Sequence, residues 1–186
     1  MKEVFVFLAE GFEEIEAVAT IDVIRRAEIN VTTVSISNDY LVKGVHAISV
    51  MADKLFTETD FSNGDMLILP GGMPGASNLN NHAGLKNLLN SYVEQGKKVA
   101  AICAAPLVLG GLGILQGKNA TAYPGFETTL TGAEYVKTGV VIDGNIITGR
   151  GPGFAVDFGL AIVSQLMGQE KADEVGAGML CNKHKK

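Results

Sequence analysis

Short apolar runs rich in β-branched and aromatic residues alternate with stretches of helical periodicity along most of this chain. The run VFVFLA at residues 4–9 predicts a strand, followed by a helix over about residues 14–28 and a second strand, VTTVSI, at 31–36. A further pair of short strands is expected around residues 40–50. MLILP, at 66–70, is a continuous apolar run that stops at Gly71 and Gly72. A helix over 83–95 leads into the strand KVAAI at 98–102 and a second apolar helix from about residue 104. VVIDGNIIT, at 140–148, carries a hairpin signal with Asp143 and Gly144 at the turn. A last apolar helix is expected over about 155–167, with a short polar one running toward residue 176.

Apolar strands without strict alternation, separated by helices, belong to a parallel sheet covered on both faces. The fold class that follows is α/β: a doubly wound, mostly parallel sheet in an α/β/α sandwich with one antiparallel hairpin. No linker, repeat or low-complexity segment divides the chain, so residues 1–186 read as a single domain. In such sheets ligands bind beyond the carboxyl ends of the strands. The segments to inspect are therefore those after VFVFLA, MLILP, KVAAI and NIIT.

Composition narrows the partners. Hydrophobic residues are 47% and charged residues 19% of the 186, which excludes an intrinsically disordered chain. The net charge of -5, with no basic stripe, excludes nucleic acid and anionic membrane surfaces as first partners. Only Cys103 and Cys181 are present, so a disulfide scaffold is not expected and a reducing, cytoplasmic setting is. The apolar start at 4–9 is too short for a signal peptide. Residues 99–117 carry no charge, but Pro106 and four glycines make them a buried strand, turn and helix rather than a membrane span. The segment AVATIDVI in the first helix is apolar over more than one stripe, which points to a second covered side and a homodimer.

Chemistry gathers at the strand ends. Cys103 follows KVAAI directly, with Ala104, Ala105 and Pro106 after it. A cysteine between a strand and a helix has the geometry of a nucleophile elbow, where backbone N–H groups and the helix terminus would lower the thiol pKa. The competing reading is a buried structural cysteine; position favours the reactive one. After VFVFLA come Glu13, Glu14 and Glu16, an acidic first helical turn that is ordinary in itself. One of these carboxyls can meet the sulfur at the same sheet edge, and spacing does not say which. Gly71 and Gly72 serve either a tight turn or an exposed N–H for an oxyanion. Arg150, in the segment GRGPG, anchors a carboxylate or bonds loop carbonyls, the structural role ranking first.

Other chemistries lack their motifs. His46, His82 and His184 are scattered, so no metal site is expected, and no cofactor is. GRGPG lacks the dinucleotide spacing, and no phosphate-binding loop occurs.

Five segments in order, AEGFEEIEAV, IDVIRRA, LPGGMPGASNL, AAICAAP and ITGRGPG, resemble the DJ-one/ThiJ/PfpI superfamily, in the branch of the parkinsonism-associated protein and its bacterial ThiJ-like relatives. The resemblance runs from residue 4 to about 168. It implies a flavodoxin-like fold, a homodimer, and a reactive cysteine at Cys103 partnered by Glu16, with the N–H groups of Gly72 and Ala104 lining a small pocket. It further implies a glutathione-independent glyoxalase or protein deglycase acting on a small aldehyde or a glycated adduct, with no external cofactor. The human-like members carry a histidine where Tyr123 precedes Pro124, and a phenol is a poor base near neutral pH. Peptidase-like members place a histidine after the cysteine, where Ala104 stands here. The same residues serve an alternative role as an oxidative-stress sensor or chaperone-like protective protein whose Cys103 oxidises to the sulfinic acid. A cysteine peptidase or amidase is weakened by Ala104.

Overall fold

The structure is a computed structural model, and it describes residues 1–181. The chain runs β1 (Glu3–Leu8), α1 (Glu14–Arg26), β2 (Asn30–Ser35), β3 (Leu41–Lys43), β4 (Ser49–Met51), β5 (Lys54–Leu55) and β6 (Met66–Leu69). It continues with α2 (Gly75–Asn81), α3 (Ala83–Glu94), β7 (Lys98–Ile102), α4 (Pro106–Gly111), β8 (Asn119–Ala120) and β9 (Glu134–Tyr135). It closes with β10 (Val140–Asp143), β11 (Ile146–Gly149), α5 (Ala155–Met167) and α6 (Gln169–Gly178).

The main sheet has the order β10-β11-β7-β6-β1-β2-β5, and every neighbouring pair is parallel except β10 with β11. Its five long parallel strands lie in the flavodoxin-like 2-1-3-4-5 order. β1, β6, β7 and β11 are buried along nearly their whole length, the mark of strands covered on both faces. Helices α1, α5 and α6 pack as one group and α2, α3 and α4 as another. Phe7, Leu67, Ile68 and Phe158 are fully buried, and each such side chain contributes roughly 1.5–3 kcal/mol by leaving water. Gly159 lets α5 approach α1, since a Cβ there would lie 2.8 Å from Val23 Cβ.

The predicted elements are present with modest shifts. Helix α1 stops at Arg26 rather than Glu28, because Glu28 takes a left-handed φ of 60° as the chain turns into β2. The hairpin lies where expected, but Asp143 is its last paired residue, opposite Ile146, and Gly144 and Asn145 form the two-residue loop. The second apolar helix starts at Pro106, not 104, and lasts only six residues. The short strands β5, β8 and β9 and helix α2 were not legible in the pattern. Among the described residues, no helix is long and apolar enough to cross a membrane.

Candidate active site

Three strand ends bring the site together. β7 delivers Cys103 in a left-handed conformation, φ 65°, which costs an L-residue roughly 1–2 kcal/mol. Backbone bonds hold it there: Cys103 N–H donates to the Gly149 carbonyl at the end of β11 (2.9 Å), and the Cys103 carbonyl accepts from Tyr123 N–H (2.8 Å). Ala104 and Ala105 are buried beside it, and Pro106 occupies the first turn of α4, where a missing N–H is harmless. The residue is 8% exposed.

The acidic turn after β1 divides its labour. Glu13 caps α1, its Oε2 accepting from Glu16 N–H at 2.7 Å. Glu14 turns to the β3–β4 loop, where its Oε1 accepts from His46 N–H at 2.6 Å. Glu16 is fully buried and points to the strand-end loop after β6, where its Oε2 accepts from Gly71 N–H at 2.8 Å. Gly71 in turn accepts from Glu13 N–H at 2.9 Å. There is no room for a side chain on Gly71, because a Cβ would stand 2.6 Å from both Cys103 Cβ and Glu16 Oε2. Gly72 needs its positive φ of 88° to pass over the start of α1.

Glu16 and Cys103 interact directly. Burial pushes the Glu16 carboxyl up to about 7, despite hydrogen bonds from Cys103 and Gly71 that favour its charge. Its Oε1 is buried without a conventional hydrogen-bond partner; the thiol is a weak, long-reaching donor that tunes the carboxyl without satisfying it. Burial, then the Glu16 charge and hydrogen bond, push the Cys103 thiol up to about 12, while hydrogen bonds from the Gly72 and Ala104 backbone pull it back. This corrects the sequence-based expectation of a thiol pKa lowered outright. The amides are in place, but α4 is short, the sulfur is buried, and the neighbouring acid opposes a second charge. The two groups titrate as a pair. When the carboxyl holds the proton, its repulsion disappears and the two amides are left facing the sulfur.

Tyr123 lies at the mouth of an open cleft of about 270 Å³ that it lines with Pro124, Arg150, Pro152 and Phe154. Arg150 is only partly buried, yet its Nε is buried with no hydrogen-bond partner, and its guanidinium bonds no loop carbonyl among the described residues. The structural role ranked first for it is therefore not what the geometry shows.

Of the histidines, His82 accepts from Leu85 N–H at the start of α3, and His46 lies 2.9 Å from Glu14 Oε2. Neither is paired with Cys103, and His184 lies outside the described residues. His46 meeting Glu13 and Glu14 is the grouping that the scattered histidines gave no hint of, since the partners are more than thirty residues apart in sequence. Cys181 follows α6 as a free thiol, remote in sequence from the elbow.

Known proteins resemble this chain over most of its length. The DJ-1/PfpI family profile matches residues 2–165. "Protein DJ-1 homolog A" of Arabidopsis thaliana is 43% identical over 182 residues, 96% of this chain and 46% of that protein, so the chain spans about half the length of this plant relative. "Glutathione-independent glyoxalase DJR-1.2" of Caenorhabditis elegans is 34% identical over 168 residues, 89% of each chain. The solved structure of "Toxoplasma gondii DJ-1, oxidized" superposes with a TM-score of 0.93 at 36% identity, covering 97% of this chain and 98% of that one. With a cysteine elbow in a flavodoxin-like sheet and a family match over most of its length, the chain belongs to the DJ-1/PfpI family.

Proposed function

We propose that the protein is a cysteine-dependent enzyme that converts small α-oxoaldehydes, or their early adducts on proteins, to 2-hydroxy acids without glutathione. The observation that carries this reading is the buried Glu16 carboxyl, raised to about 7, beside a Cys103 thiol faced by the Gly72 and Ala104 amides. With Glu16 protonated, the Cys103 thiolate attacks the aldehyde carbon, a C–S bond forms, and the carbonyl oxygen takes the proton that Glu16 releases. The Gly72 and Ala104 N–H groups favour charge on or near the sulfur during this step. Glu16, now a carboxylate, removes the hydrogen from that carbon and delivers it to the adjacent one, while the new hydroxyl's proton passes to the neighbouring carbonyl oxygen, leaving a 2-hydroxyacyl thioester. Water cleaves the thioester, and the acid and the free thiol are regenerated. The sum is aldehyde plus one water, with no external oxidant or reductant. The name of the nematode relative supports the reaction class.

A second reading rests on the same pair. A protonated Glu16, with Oε1 unpartnered, is placed to donate to an oxygen of an oxidised Cys103, which favours a protective or sensing role when the thiol meets peroxide. The peptidase reading is set aside, because Ala104 follows Cys103 and neither described histidine pairs with it. Ile15, Val18, Ile48 and Met51 on or beside α1 and β4 are exposed, and we assign this face to a second copy of the chain.

The experiment is lactate formation from methylglyoxal without glutathione, with wild type, Cys103→Ser and Glu16→Gln side by side. Turnover in the wild type that falls to background in Cys103→Ser is expected. An inactive wild type with a normal fold would overturn the enzymatic reading and leave the oxidation role.

A further inference from the structure

The cleft beside the elbow holds a cation that no side chain neutralises. The chain has three arginines, Arg25, Arg26 and Arg150. Arg25 meets Asp53 at 3.3 Å, and Arg26 meets Asp22 at 2.8 Å. Arg150 makes no ion pair and no side-chain hydrogen bond among the described residues, although its Nε is buried. A guanidinium carries five N–H donors in a planar fork and keeps its charge throughout the physiological pH range. Partly buried and with none of those donors spent on the protein, Arg150 leaves its fork to an acceptor from outside.

The walls around that group are fixed by the main chain. Arg150 N–H donates to the Gly139 carbonyl at 2.9 Å, and Phe154 N–H donates to the Gly151 carbonyl at 2.9 Å. The Tyr123 ring lies against Gly151, where a Cβ would stand 3.1 Å from its Cδ2. Tyr123, Pro124, Pro152 and Phe154 wall a space of about 270 Å³, and neither an acid nor a lysine lines it. The cleft also abuts the elbow twice. Arg150 follows Gly149, whose carbonyl accepts from Cys103 N–H, and Tyr123 N–H donates to the Cys103 carbonyl. Cys103 itself does not line the cleft, so a molecule with its reacting carbon at the sulfur meets Arg150 with its far end.

We propose that Arg150 anchors a carboxylate in this cleft, and that the preferred substrates are α-oxoaldehydes ending in a carboxylate on a short apolar stem. The proposal rests on the carbonyl reading above and adds the substrate class to it. The fork matches the two oxygens of a carboxylate with parallel N–H···O bonds, and the rings and prolines of the wall take the stem. One cation with no lysine beside it balances one negative charge, which suits a carboxylate better than a doubly charged phosphate. Methylglyoxal is too short to fill both places and leaves the fork unused.

The test has a binding arm and a kinetic arm. Levulinate carries the ketone, stem and carboxylate of 4,5-dioxopentanoate with a methyl group in place of the aldehyde, and 2-pentanone is its neutral counterpart. Each is titrated into the full chain carrying Cys103→Ser while the arginine Nε–H signals are followed by NMR, the Arg150 signal being the one that Arg150→Gln removes. Levulinate is expected to shift that signal saturably and 2-pentanone to leave it in place. Arg150→Gln should weaken levulinate binding at least about tenfold, and Arg150→Lys by less, since it keeps the charge and loses the fork. In the kinetic arm, kcat/KM of the wild type should be higher for 4,5-dioxopentanoate than for 2-oxopentanal, and the ratio should fall about tenfold in Arg150→Gln, chiefly through KM. Equal shifts from levulinate and 2-pentanone would overturn the proposal. So would a levulinate affinity indifferent to Arg150→Gln in a variant with an unchanged circular dichroism spectrum, or a wild type that turns over both aldehydes without preference. Levulinate held through Arg150 by a protein that turns over neither aldehyde would uphold the carboxylate site and overturn the carbonyl reading instead.

Discussion

Gly71 donates its N–H to Glu16 Oε2 at 2.8 Å across fifty-five residues of chain, and its carbonyl accepts from Glu13 N–H at 2.9 Å. The loop after β6 is thus tied twice to the start of α1, at the point where the Cys103 Cβ closes the remaining space. Gly71→Ala would put a methyl group against both reactive side chains. Overpacking of this kind costs roughly 1–3 kcal/mol, and here it also separates acid from sulfur. The expected outcome is a lowered urea midpoint together with a large loss of turnover. A Gly71→Ala protein with wild-type values of both would show that the pair does not depend on this contact.

Glu16 links chemistry to pH. Its folded pKa of about 7 stands above the 4.5 of an ordinary glutamate, so the folded chain binds more protons than the unfolded one between those values. The contribution of this group to stability is fully present below pH 4.5 and is lost as pH rises through 7, by at most about 3 kcal/mol. Glu16→Gln should flatten this part of the profile and gain stability at pH 8 relative to wild type. Turnover in the same variant should fall about 10²–10⁴-fold, as expected when a proton-transferring group is removed. Denaturant midpoints at pH 5 and pH 8, measured for both proteins, check the first expectation.

Tyr123 stands 46% exposed at the cleft, so its side chain can be changed with little effect on the core. Tyr123→His places a base of near-neutral pKa where a phenol now stands, and should raise kcat on methylglyoxal by about tenfold or more. Tyr123→Phe should leave it within a few-fold. A kcat lowered by Tyr123→His would mean that the phenol itself takes part.

Gly159 separates stability from activity. Alanine gains about 1 kcal/mol of helix propensity over glycine, but its Cβ would sit 2.8 Å from Val23 Cβ and 2.9 Å from Val23 Cγ1, atoms near the α1 backbone that cannot swing aside. The clash wins, and Gly159→Ala should lower stability by a net of about 1–2 kcal/mol. Turnover should be unchanged in the folded fraction, since neither residue touches the Cys103 pocket. Thermal unfolding and a progress curve on one preparation test both halves.

The sheet could be read in the sequence because MLIL and KVAAI are buried on both faces, and that burial requires unbroken apolar runs. Cys103 was legible for a related reason, as a strand end followed at once by small residues and a proline. The division among Glu13, Glu14 and Glu16 was not. All three are buried, and their roles depend on a glycine and a loop far away in sequence. Only the family resemblance pointed to Glu16. Helix α2, with the sequence GASNLNN, has no apolar period to betray it and forms because it is packed between the site loop and its neighbours. The direction of the Cys103 shift was misjudged because burial and a facing acid, neither of which is written in the local sequence, outweigh two amides and a helix of six residues.

Cys103 occupies a backbone conformation that glycine would adopt freely. The bonds that hold this conformation, to Gly149 and Tyr123, are made by the main chain and do not involve the sulfur. Replacing the whole side chain, Cβ included, by a hydrogen atom would therefore relax the elbow and leave its frame standing. A search for thermostable variants that ignored catalysis would accept glycine at this position and discard the reactive group. Selection that preserves a cysteine there must therefore act on the chemistry, against the folding preference of the chain.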